Sequence, residues 1–285
     1  GFVRGRGLLA PREAAFVEPA GDGNINWVRR VRAGGRSWVV KQARPALERF
    51  PQYRASTVRI ACEARWLETV RPLDRGGVCP GVVAFDEAAR TLVLEDLGAA
   101  PRLDAVLAEG GDAGAAAVRL AAFLGAVHAA TVGDARLAAR FPNEEMQRLH
   151  GDHIFDLPFR ENDFPLDPPV RAQAEAIWRK GEVAAIAADA QRRYLEPRGA
   201  LVHGDVQAGN VLLAPRGAVL LDAEIAHVGD PAFDLGMLFA HLWLPAAARG
   251  AAPAAGAVVA AAWRAYAEAA GAGPERRGEA QRYAR

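Results

Sequence analysis

Three polar side chains occur in a fixed order between apolar segments in the second half of the chain. Asp205 and Asn210 lie in the loop after the apolar run that ends at Val202, and Asp222 ends the next apolar run. A carboxylate such as Asp205 can hold a hydroxyl group in line and accept its proton. Asn210 and Asp222 offer the hard oxygen ligands that Mg²⁺ prefers. Phosphoryl transfer requires these groups, because it depends on positioning and on neutralising phosphate charge.

Each of these residues has a simpler alternative interpretation. The segment from His203 to Asp205 could be a turn stabilised by its aspartate, and Asp222 and Glu224 could be solvated acids at the end of a strand. The order of Asp, Asn and Asp between apolar strands favours the catalytic interpretation, in which Asp205 is the base. The first half of the chain supplies further groups that fit the same chemistry.

One of these groups is a glycine-containing segment near the N-terminus. Residues 21–26 read Gly-Asp-Gly-Asn-Ile-Asn, which is typical of a flexible loop between strands. Such a loop can close over phosphates and donate backbone N–H groups to them. Because Gly-Asp-Gly is also an ordinary turn, both interpretations stay open at this point.

A lysine in an apolar strand is a second feature of the first half. Lys41 and Lys180 are the only lysines in the chain, and Lys41 lies in the apolar run 38–42. An unpaired ammonium group in a buried strand would be costly, so we expect Lys41 to bind a phosphate and a carboxylate. Glu63 on the following helix is the natural carboxylate, although Glu68 lies on the same helix. The alternative is a lysine that extends from a sheet edge into solvent.

A short connector follows the last apolar strand of the first half. It consists of Glu95, Asp96 and Leu97. Backbone groups of such a connector can pair with the edge of an adenine ring, and the alternative is a plain linker between domains. Both interpretations fit the sequence.

The elements that must position these residues divide the chain into two regions. The first is predicted to be β-rich, with strands at residues 25–31, 37–42, 82–85 and 91–94 and a helix at 57–70. The second is predicted to be mostly helical, with helices at 115–130 and 172–194, a β-like island at 201–221, and helices from Pro231 and Val258. We therefore predict an α+β fold with an N-terminal nucleotide-binding lobe, residues 1–97, and a C-terminal catalytic and substrate-binding lobe, residues 98–285.

Composition limits the classes of partner. A formal charge of +1 over 285 residues gives no broad field that would attract nucleic acid or an anionic membrane. Cys62 and Cys79 have neither metal-ligand nor disulfide-scaffold spacing, which predicts a reduced, cytoplasmic setting. No apolar run is long enough to span a bilayer, and no signal-type segment is present. We predict neither a nucleic-acid nor a membrane partner, and the oligomeric state stays open.

Several polar residues are predicted to be structural. His128 lies on an apolar helix face, and His150 lacks the neighbouring ligands of a metal cluster. Asp230 and Asp234 lie at a predicted helix start, where aspartate can cap the helix. Asp234 could instead brace the loop that carries Asp205.

Together these motifs resemble the aminoglycoside phosphotransferase and choline kinase superfamily, small-molecule relatives of protein kinases, and are most similar to methylthioribose kinases within it. The resemblance extends from Gly21 to about Leu242 and rests on residues 21–26, 40–43, 59–64, 95–97, 155–159 and 222–224. It implies a bilobal protein-kinase-like fold, the cofactors ATP and Mg²⁺, and transfer of the γ-phosphoryl group to a hydroxyl of a small sugar-like metabolite. It also implies that Asp205 is the catalytic base, that Asn210, Asp222 and Glu224 bind metal, and that the nucleotide contacts Gly23, Asn24, Asn26, Lys41, Glu63, Glu95, Asp96 and Leu97.

The identity of the acceptor stays open. Asn210 matches the superfamily as a whole, whereas methylthioribose kinases usually lack this asparagine, so aminoglycosides and nucleosides are alternatives to a sugar. A different class of protein is a non-catalytic, nucleotide-binding pseudokinase, which commonly lacks the lysine, the base or the metal-binding acid. This chain has all three, as Lys41, Asp205 and Asp222. A protein kinase is disfavoured because no Ala-Pro-Glu follows Asp222.

Overall fold

The computed structural model of the chain describes residues 2–21, 25–48, 51–52 and 54–271. The N-terminal region contains a five-stranded antiparallel sheet and the C-terminal region is mostly helical, as predicted. A short helix, α1 (Phe2–Gly5), precedes the sheet. The sheet has the strand order β1-β2-β3-β5-β4, with β1 (Phe16–Pro19), β2 (Asn26–Ala33), β3 (Arg36–Ala43), β4 (Val82–Asp86) and β5 (Thr91–Glu95).

The β2–β3 hairpin places Lys41 inside the sheet. Its turn residues Gly34 and Gly35 have φ values of 53° and 75°, the left-handed backbone that a tight hairpin of this kind requires. The register then pairs Lys41 with Val28 on one side and with Leu92 of β5 on the other. Because β3 has a neighbouring strand on each side, Lys41 lies on an interior strand and not at the sheet edge.

Helix α2 (Arg59–Val70) packs against strands β3, β4 and β5. Its apolar side chains, such as Ile60 and Trp66, are buried in the core, but Arg59 and Glu63 are buried as well. Charged side chains without access to water require partners inside the protein. The helix therefore brings two charges that must be satisfied by neighbouring elements.

The C-terminal region combines helices with two small antiparallel ladders. One ladder joins β6 (Ala200–Val202) to β9 (His227–Gly229), and the other joins β7 (Val211–Ala214) to β8 (Gly217–Leu220). A π-helical turn (Asp152–Asp156) continues the helix α6. The helices are α3 (Leu103–Ala108), α4 (Gly114–Thr131), α5 (Ala135–Arg140), α6 (Glu144–Gly151), α7 (Pro168–Trp178), α8 (Gly181–Tyr194), α9 (Pro231–Ala248) and α10 (Ala252–Ala269).

Several element boundaries differ from the prediction. The single helix expected at 172–194 is instead the pair α7 and α8, because the backbone leaves the helical conformation at Lys180. The β-like island at 201–221 contains parts of three strands joined by loops, and α10 begins at Ala252 rather than at Val258. The sequence analysis does not predict β1, α3, α5 or α6. The three helices have six to eight residues, about two turns or fewer, so the helical period hardly repeats within them.

One hydrophobic core extends from the sheet into the helical region. It joins Ile60 of α2 and Leu92 of β5 to Leu120 of α4 and Leu238 of α9. A second, smaller cluster packs α1 against residues of β2, β3 and β5. The continuous core fixes the sheet relative to the loops that follow β6 and β8, and these loops carry the predicted site residues.

Helix α4 contradicts the prediction that no apolar run in the chain is long enough to span a bilayer. Its 18 residues have a mean hydropathy of 1.3, which by length and composition alone would suit a membrane span, yet 56% of this segment is buried inside the protein. It also packs closely on α10: a Cβ atom at Gly125 would lie 2.5 Å from the carbonyl oxygen of Tyr266. We therefore interpret α4 as a core helix.

Candidate active site

Asp205 lies in a tight loop that follows strand β6. Gly204 has a φ of 83°, and a Cβ atom there would lie 2.7 Å from the carbonyl oxygen of Ile225, so the loop requires glycine. The carboxylate of Asp234 accepts hydrogen bonds from the backbone N–H groups of His203 at 2.8 Å and Gly204 at 2.9 Å. Helix α9 thus holds the loop immediately before Asp205.

The bracing carboxylate is itself fixed by a buried histidine. Asp234 lies 3.2 Å from Nε2 of His128, whose Nδ1 contacts the hydroxyl of Tyr266 at 3.1 Å. Burial alone would raise the pKa of Asp234, but the hydrogen bond and charge of His128, together with the loop N–H groups, hold it below its usual value. Asp230 instead caps α9 by accepting a hydrogen bond from the N–H of Ala232 at 3.0 Å. The predicted structural roles of these side chains are therefore found in the structure.

The carboxylate of Asp205 accepts hydrogen bonds from two amide side chains of the same loop. Asn210 donates from Nδ2 to Oδ2 at 2.7 Å, and Gln207 donates from Nε2 to the two oxygens at 3.0 and 3.2 Å. Burial raises the pKa of Asp205 to about 7, with a further contribution from Asp222 and Glu224, while the Gln207 hydrogen bonds oppose the rise. A carboxyl group with a pKa near neutrality is suited to exchange a proton with a bound hydroxyl.

Three further carboxylates form a cluster at the meeting point of the two regions. Glu63 of α2 and Asp222 and Glu224, which follow β8, each offer one oxygen atom, and these atoms lie within 4.8 Å of one another. Asp222 has a φ of 72°, a left-handed conformation that is unusual for a residue other than glycine. A set of carboxylate oxygens at this spacing is suited to Mg²⁺, because hard cations prefer oxygen ligands.

Lys41 reaches this cluster from strand β3. Its Nζ lies 2.6 Å from Oε2 of Glu63 and 3.8 Å from Oε2 of Glu224, and it also contacts Oδ1 of Asp222. Glu68, the alternative partner, lies at the surface and pairs with Arg140. The structure therefore brings Lys41, Glu63, Asp222 and Glu224 together, as the sequence interpretation requires.

The cluster carries more negative than positive charge, and its pKa values reflect this. Burial alone would lower the pKa of Lys41, but the three carboxylates raise it above its usual value, so the ammonium stays charged. Burial and the neighbouring carboxylates raise the pKa of Glu63 to about 7 despite the opposing charge of Lys41. A divalent cation would relieve this repulsion, which is the physical reason why the site fits a metal ion.

Arg59 is a site residue to which the sequence analysis assigns no role. Its Nε donates to Oε2 of Glu224 at 3.1 Å, and its Nη2 donates to Oδ1 of Asn26 at 2.9 Å. Asn26 in turn donates from Nδ2 to the same Glu224 oxygen at 2.7 Å. Nη1 bonds the carbonyl oxygens of Arg44 and Ser56 at 3.0 and 2.8 Å. The only signal in the sequence was a charged side chain in the otherwise uncharged stretch 57–62.

Asn26 is predicted to contact the nucleotide, but its side chain is engaged by two neighbours within the protein. Both polar atoms of its amide are bonded to Glu224 and Arg59. Asn26 therefore ties the start of β2 to the acid cluster. Gly23 and Asn24, the other predicted contacts of this segment, lie outside the described residues.

The connector residues use their side chains for contacts within the protein. Glu95 accepts hydrogen bonds from Arg216 at 2.6 and 3.0 Å. Asp96 accepts from Nε of Arg30 at 2.7 Å and from the hydroxyl of Ser37. An adenine contact at Glu95, Asp96 or Leu97 would therefore come from backbone groups, which is the form in which it is predicted.

Comparison with known proteins assigns the chain to a family. Residues 17–277 match the phosphotransferase enzyme family. The chain belongs to this family. Among curated relatives, this phosphotransferase is 26% identical over 259 residues to a methylthioribose kinase of Bacillus cereus and 25% identical over 256 residues to that of Exiguobacterium sibiricum. These alignments cover 87% and 86% of the chain but 65% and 64% of the relatives, so the chain spans about two thirds of their length.

Solved structures share the fold of this phosphotransferase. A choline/ethanolamine kinase family protein from Mesorhizobium loti superimposes with a TM-score of 0.52 at 20% identity, over 94% of this chain and 74% of the other. An ethanolamine kinase of Plasmodium vivax gives 0.52 at 11% identity, over 85% and 64% of the two chains. The predicted bilobal, kinase-like α+β fold is therefore confirmed.

Proposed function

We propose that this phosphotransferase is an ATP-dependent small-molecule kinase that transfers the γ-phosphoryl group to a hydroxyl of a small, sugar-like metabolite. The observation that carries the proposal is the position of Asp205, whose pKa near 7 is raised in part by the charges of Asp222 and Glu224. A proton acceptor for the hydroxyl thus lies beside the group of acids suited to Mg²⁺. The similarity to methylthioribose kinases supports a sugar-like acceptor.

The acceptor side of the reaction depends on Asp205. Its carboxylate would hold the hydroxyl in line with the γ-phosphorus and take the proton as the new O–P bond forms. Asn210 and Gln207 fix the carboxylate from the side of the loop. Since Asn210 uses its N–H group for Asp205, its carbonyl oxygen is the atom that could bind metal.

The nucleotide side depends on Lys41 and the acid cluster. Glu63, paired at 2.6 Å, would position the ammonium group of Lys41 toward phosphate oxygens. Bound Mg²⁺, held by Asp222, Glu224 and the carbonyl of Asn210, would neutralise charge on the phosphates. Backbone groups of residues 95–97 would contact adenine, and Gly23 and Asn24 would contact the phosphates, with Asn26 holding Glu224 beneath them.

The two regions of the fold would have different roles in the reaction. We assign nucleotide binding to an N-terminal lobe, residues 1–97, and acceptor binding and catalysis to a C-terminal lobe, residues 98–285. The last strand of the sheet ends at Glu95 and the first helix of the second region begins at Leu103, which supports this boundary. The cytoplasmic setting and the absence of nucleic-acid and membrane partners stay predictions from composition.

The test is phosphate incorporation from Mg-ATP, measured by mass spectrometry on a panel of acceptors. The panel contains methylthioribose, other pentoses, nucleosides, choline and aminoglycosides. Asp205→Asn is the loss-of-function variant, and Asp189→Asn is its matched control, because Asp189 pairs only with surface arginines of its own helix in the described structure. We expect product from a sugar-like acceptor that falls by orders of magnitude in Asp205→Asn and is unchanged in Asp189→Asn. Mg-ATP binding without any product would support the pseudokinase alternative instead.

A further inference from the structure

The imidazole of His150 lies beside the carboxylate of Asp205, although sequence reasoning gives this histidine no function. Its Nε2 is 3.7 Å from Oδ1 of Asp205, and its Nδ1 is 3.3 Å from the hydroxyl of Tyr194. The side chains of His150 and Asp205 are 16% and 13% exposed, so both remain partly accessible to solvent. The separation of 3.7 Å is too long for a hydrogen bond, which leaves the two groups side by side rather than bonded to each other.

The environment defines which nitrogen of His150 carries its hydrogen. Burial, with smaller contributions from nearby histidines, lowers the pKa of His150 to about 3, so the ring is neutral at physiological pH. A neutral imidazole has one N–H donor and one acceptor nitrogen. Nε2 faces a carboxylate, where a hydrogen is favoured electrostatically, and Nδ1 faces a hydroxyl that can donate to it. Both contacts favour the tautomer with hydrogen on Nε2.

Aromatic rings hold the imidazole in this orientation. Phe233 lies edge to face with His150, with ring centroids 6.0 Å apart, and packs on Tyr194 at 4.4 Å. Phe155 contacts the same two rings, at 6.1 Å from Phe233 and 5.5 Å from Tyr194. These ring contacts fix the plane of the imidazole beside the carboxylate of Asp205.

We infer that His150, oriented by Tyr194, is a specificity-determining residue that donates from Nε2–H to a second oxygen of the acceptor, adjacent to the hydroxyl held by Asp205. The acceptor class is therefore a polyol with a vicinal diol at the phosphorylated position, because Nε2 of His150 and Oδ1 of Asp205 lie 3.7 Å apart. This inference rests on the proposed function. In the transfer, the acceptor oxygen bonds to the γ-phosphorus as the bond from phosphorus to the β,γ-bridging oxygen breaks, the proton passes to Asp205, and His150 keeps its hydrogen.

The tautomer can be tested without any acceptor. Nitrogen-15 NMR of the uniformly labelled chain, with the ring signals assigned by their loss in His150→Gln, reports which ring nitrogen is protonated. We expect a protonated Nε2 and an unprotonated Nδ1. The variant Tyr194→Phe removes the donor to Nδ1 and should shift the Nδ1 resonance. A protonated Nδ1 in the unmodified chain would overturn the inference.

The role in specificity is tested with methylthioribose and analogues that each lack one ring hydroxyl. For the analogue without the neighbouring hydroxyl, we expect kcat/KM to fall about tenfold to a hundredfold, which corresponds to the cost of about 1–3 kcal/mol for leaving a polar group of the site unpaired. His150→Phe keeps the aromatic packing but has no hydrogen-bond donor. Its kcat/KM should therefore fall by a similar factor with methylthioribose and change little with that analogue. His241→Gln is the control for the loss of a histidine. His241 lies on α9, where its charged neighbour is Asp104. This variant should discriminate between methylthioribose and the analogue as strongly as the unmodified chain.

The outcomes separate the two proposals. If the unmodified chain phosphorylates no acceptor, the proposed function fails and the inference fails with it. If the unmodified chain phosphorylates methylthioribose but His150→Phe discriminates between the full acceptor and its analogues as strongly as before, the inference alone is wrong.

Discussion

Arg59 donates from Nε to Oε2 of Glu224 at 3.1 Å, and the Arg59 side chain is fully buried while that of Glu224 is 7% exposed. The two residues are 165 positions apart in the chain. Their contact joins helix α2 of the N-terminal region to the acids that follow β8. It therefore links the packing of the two regions to the geometry of the acid cluster.

Replacing Arg59 should destabilise the fold as well as the site. Arg59→Met would leave Glu224 buried beside two other carboxylates, and breaking one side of a buried ion pair costs about 3–5 kcal/mol. We expect urea unfolding to show a loss of that size. Arg136→Met removes a side chain that is 92% exposed and should change stability by less than about 0.5 kcal/mol. A loss in Arg59→Met as small as that control would show that Glu224 does not depend on Arg59.

The pKa of Asp205 predicts how activity depends on pH. Burial raises this pKa to about 7, and only the ionised carboxylate can accept the proton of the acceptor. We expect kcat/KM to rise with pH and then to level off, with a midpoint below about pH 7 at a fixed, saturating Mg²⁺ concentration, because the cation offsets the charges of Asp222 and Glu224 that raise this pKa. Gln207 donates hydrogen bonds that lower the pKa of Asp205, so Gln207→Ala should move the midpoint of the profile to higher pH. A midpoint unchanged in that variant would assign the profile to another group.

The side chains that carry the chemistry of the site could be predicted from sequence more readily than the side chains that contact them. Asp205, Asn210 and Asp222 lie within a short stretch between apolar runs, so their order is visible without a fold. The choice of Glu63 over Glu68 as the partner of Lys41 depends on how α2 docks on the sheet, which no local pattern records.

The residues that sequence reasoning missed are those whose role depends on long-range packing. Arg59 acts on Glu224 across 165 positions, and His150 meets Tyr194 across 44. Helices of six to eight residues, such as α5 and α6, were likewise missed, because the helical period hardly repeats within about two turns. The break at Lys180 lies next to Gly181, the only glycine in the stretch 172–194, and this signal was not used in the prediction of a single helix.

The buried Asp234 should contribute a pH-dependent part of the stability. Its pKa in the folded chain lies below the usual value of 3.8, so its contribution is complete above about pH 4 and is lost as pH falls through the folded-state pKa. Asp234→Asn should therefore be destabilised at neutral pH, by about 3–5 kcal/mol if the charge is essential, and should lose less additional stability in acid than the unmodified chain. Chemical unfolding between pH 3 and 7 measures both effects, with Asp230→Asn as the control for a cap of the same helix. Equal acid sensitivity of Asp234→Asn and the unmodified chain would contradict this assignment.

Substitution of Gly204, the residue before Asp205, tests whether the loop tolerates displacement. Gly204 and Gly133 both have left-handed backbones, with φ values of 83° and 75°, but only Gly204 faces another chain segment. A Cβ atom at Gly204 would lie 2.7 Å from the Ile225 carbonyl oxygen, whereas one at Gly133 would meet no heavy atom within 4 Å. Both alanine variants bear the conformational cost of about 1–3 kcal/mol for such a backbone, and Gly204→Ala bears the clash in addition.

We therefore expect Gly204→Ala to be less stable than Gly133→Ala and to lose most of its phosphotransfer activity, because the clash displaces the loop next to Asp205. Gly133→Ala should retain its activity despite its own loss of stability. Thermal unfolding and kcat on the same preparations separate the two effects. If Gly204→Ala matched Gly133→Ala in both measurements, the loop would tolerate displacement, and the position of Asp205 would not depend on the close approach of Gly204 to Ile225.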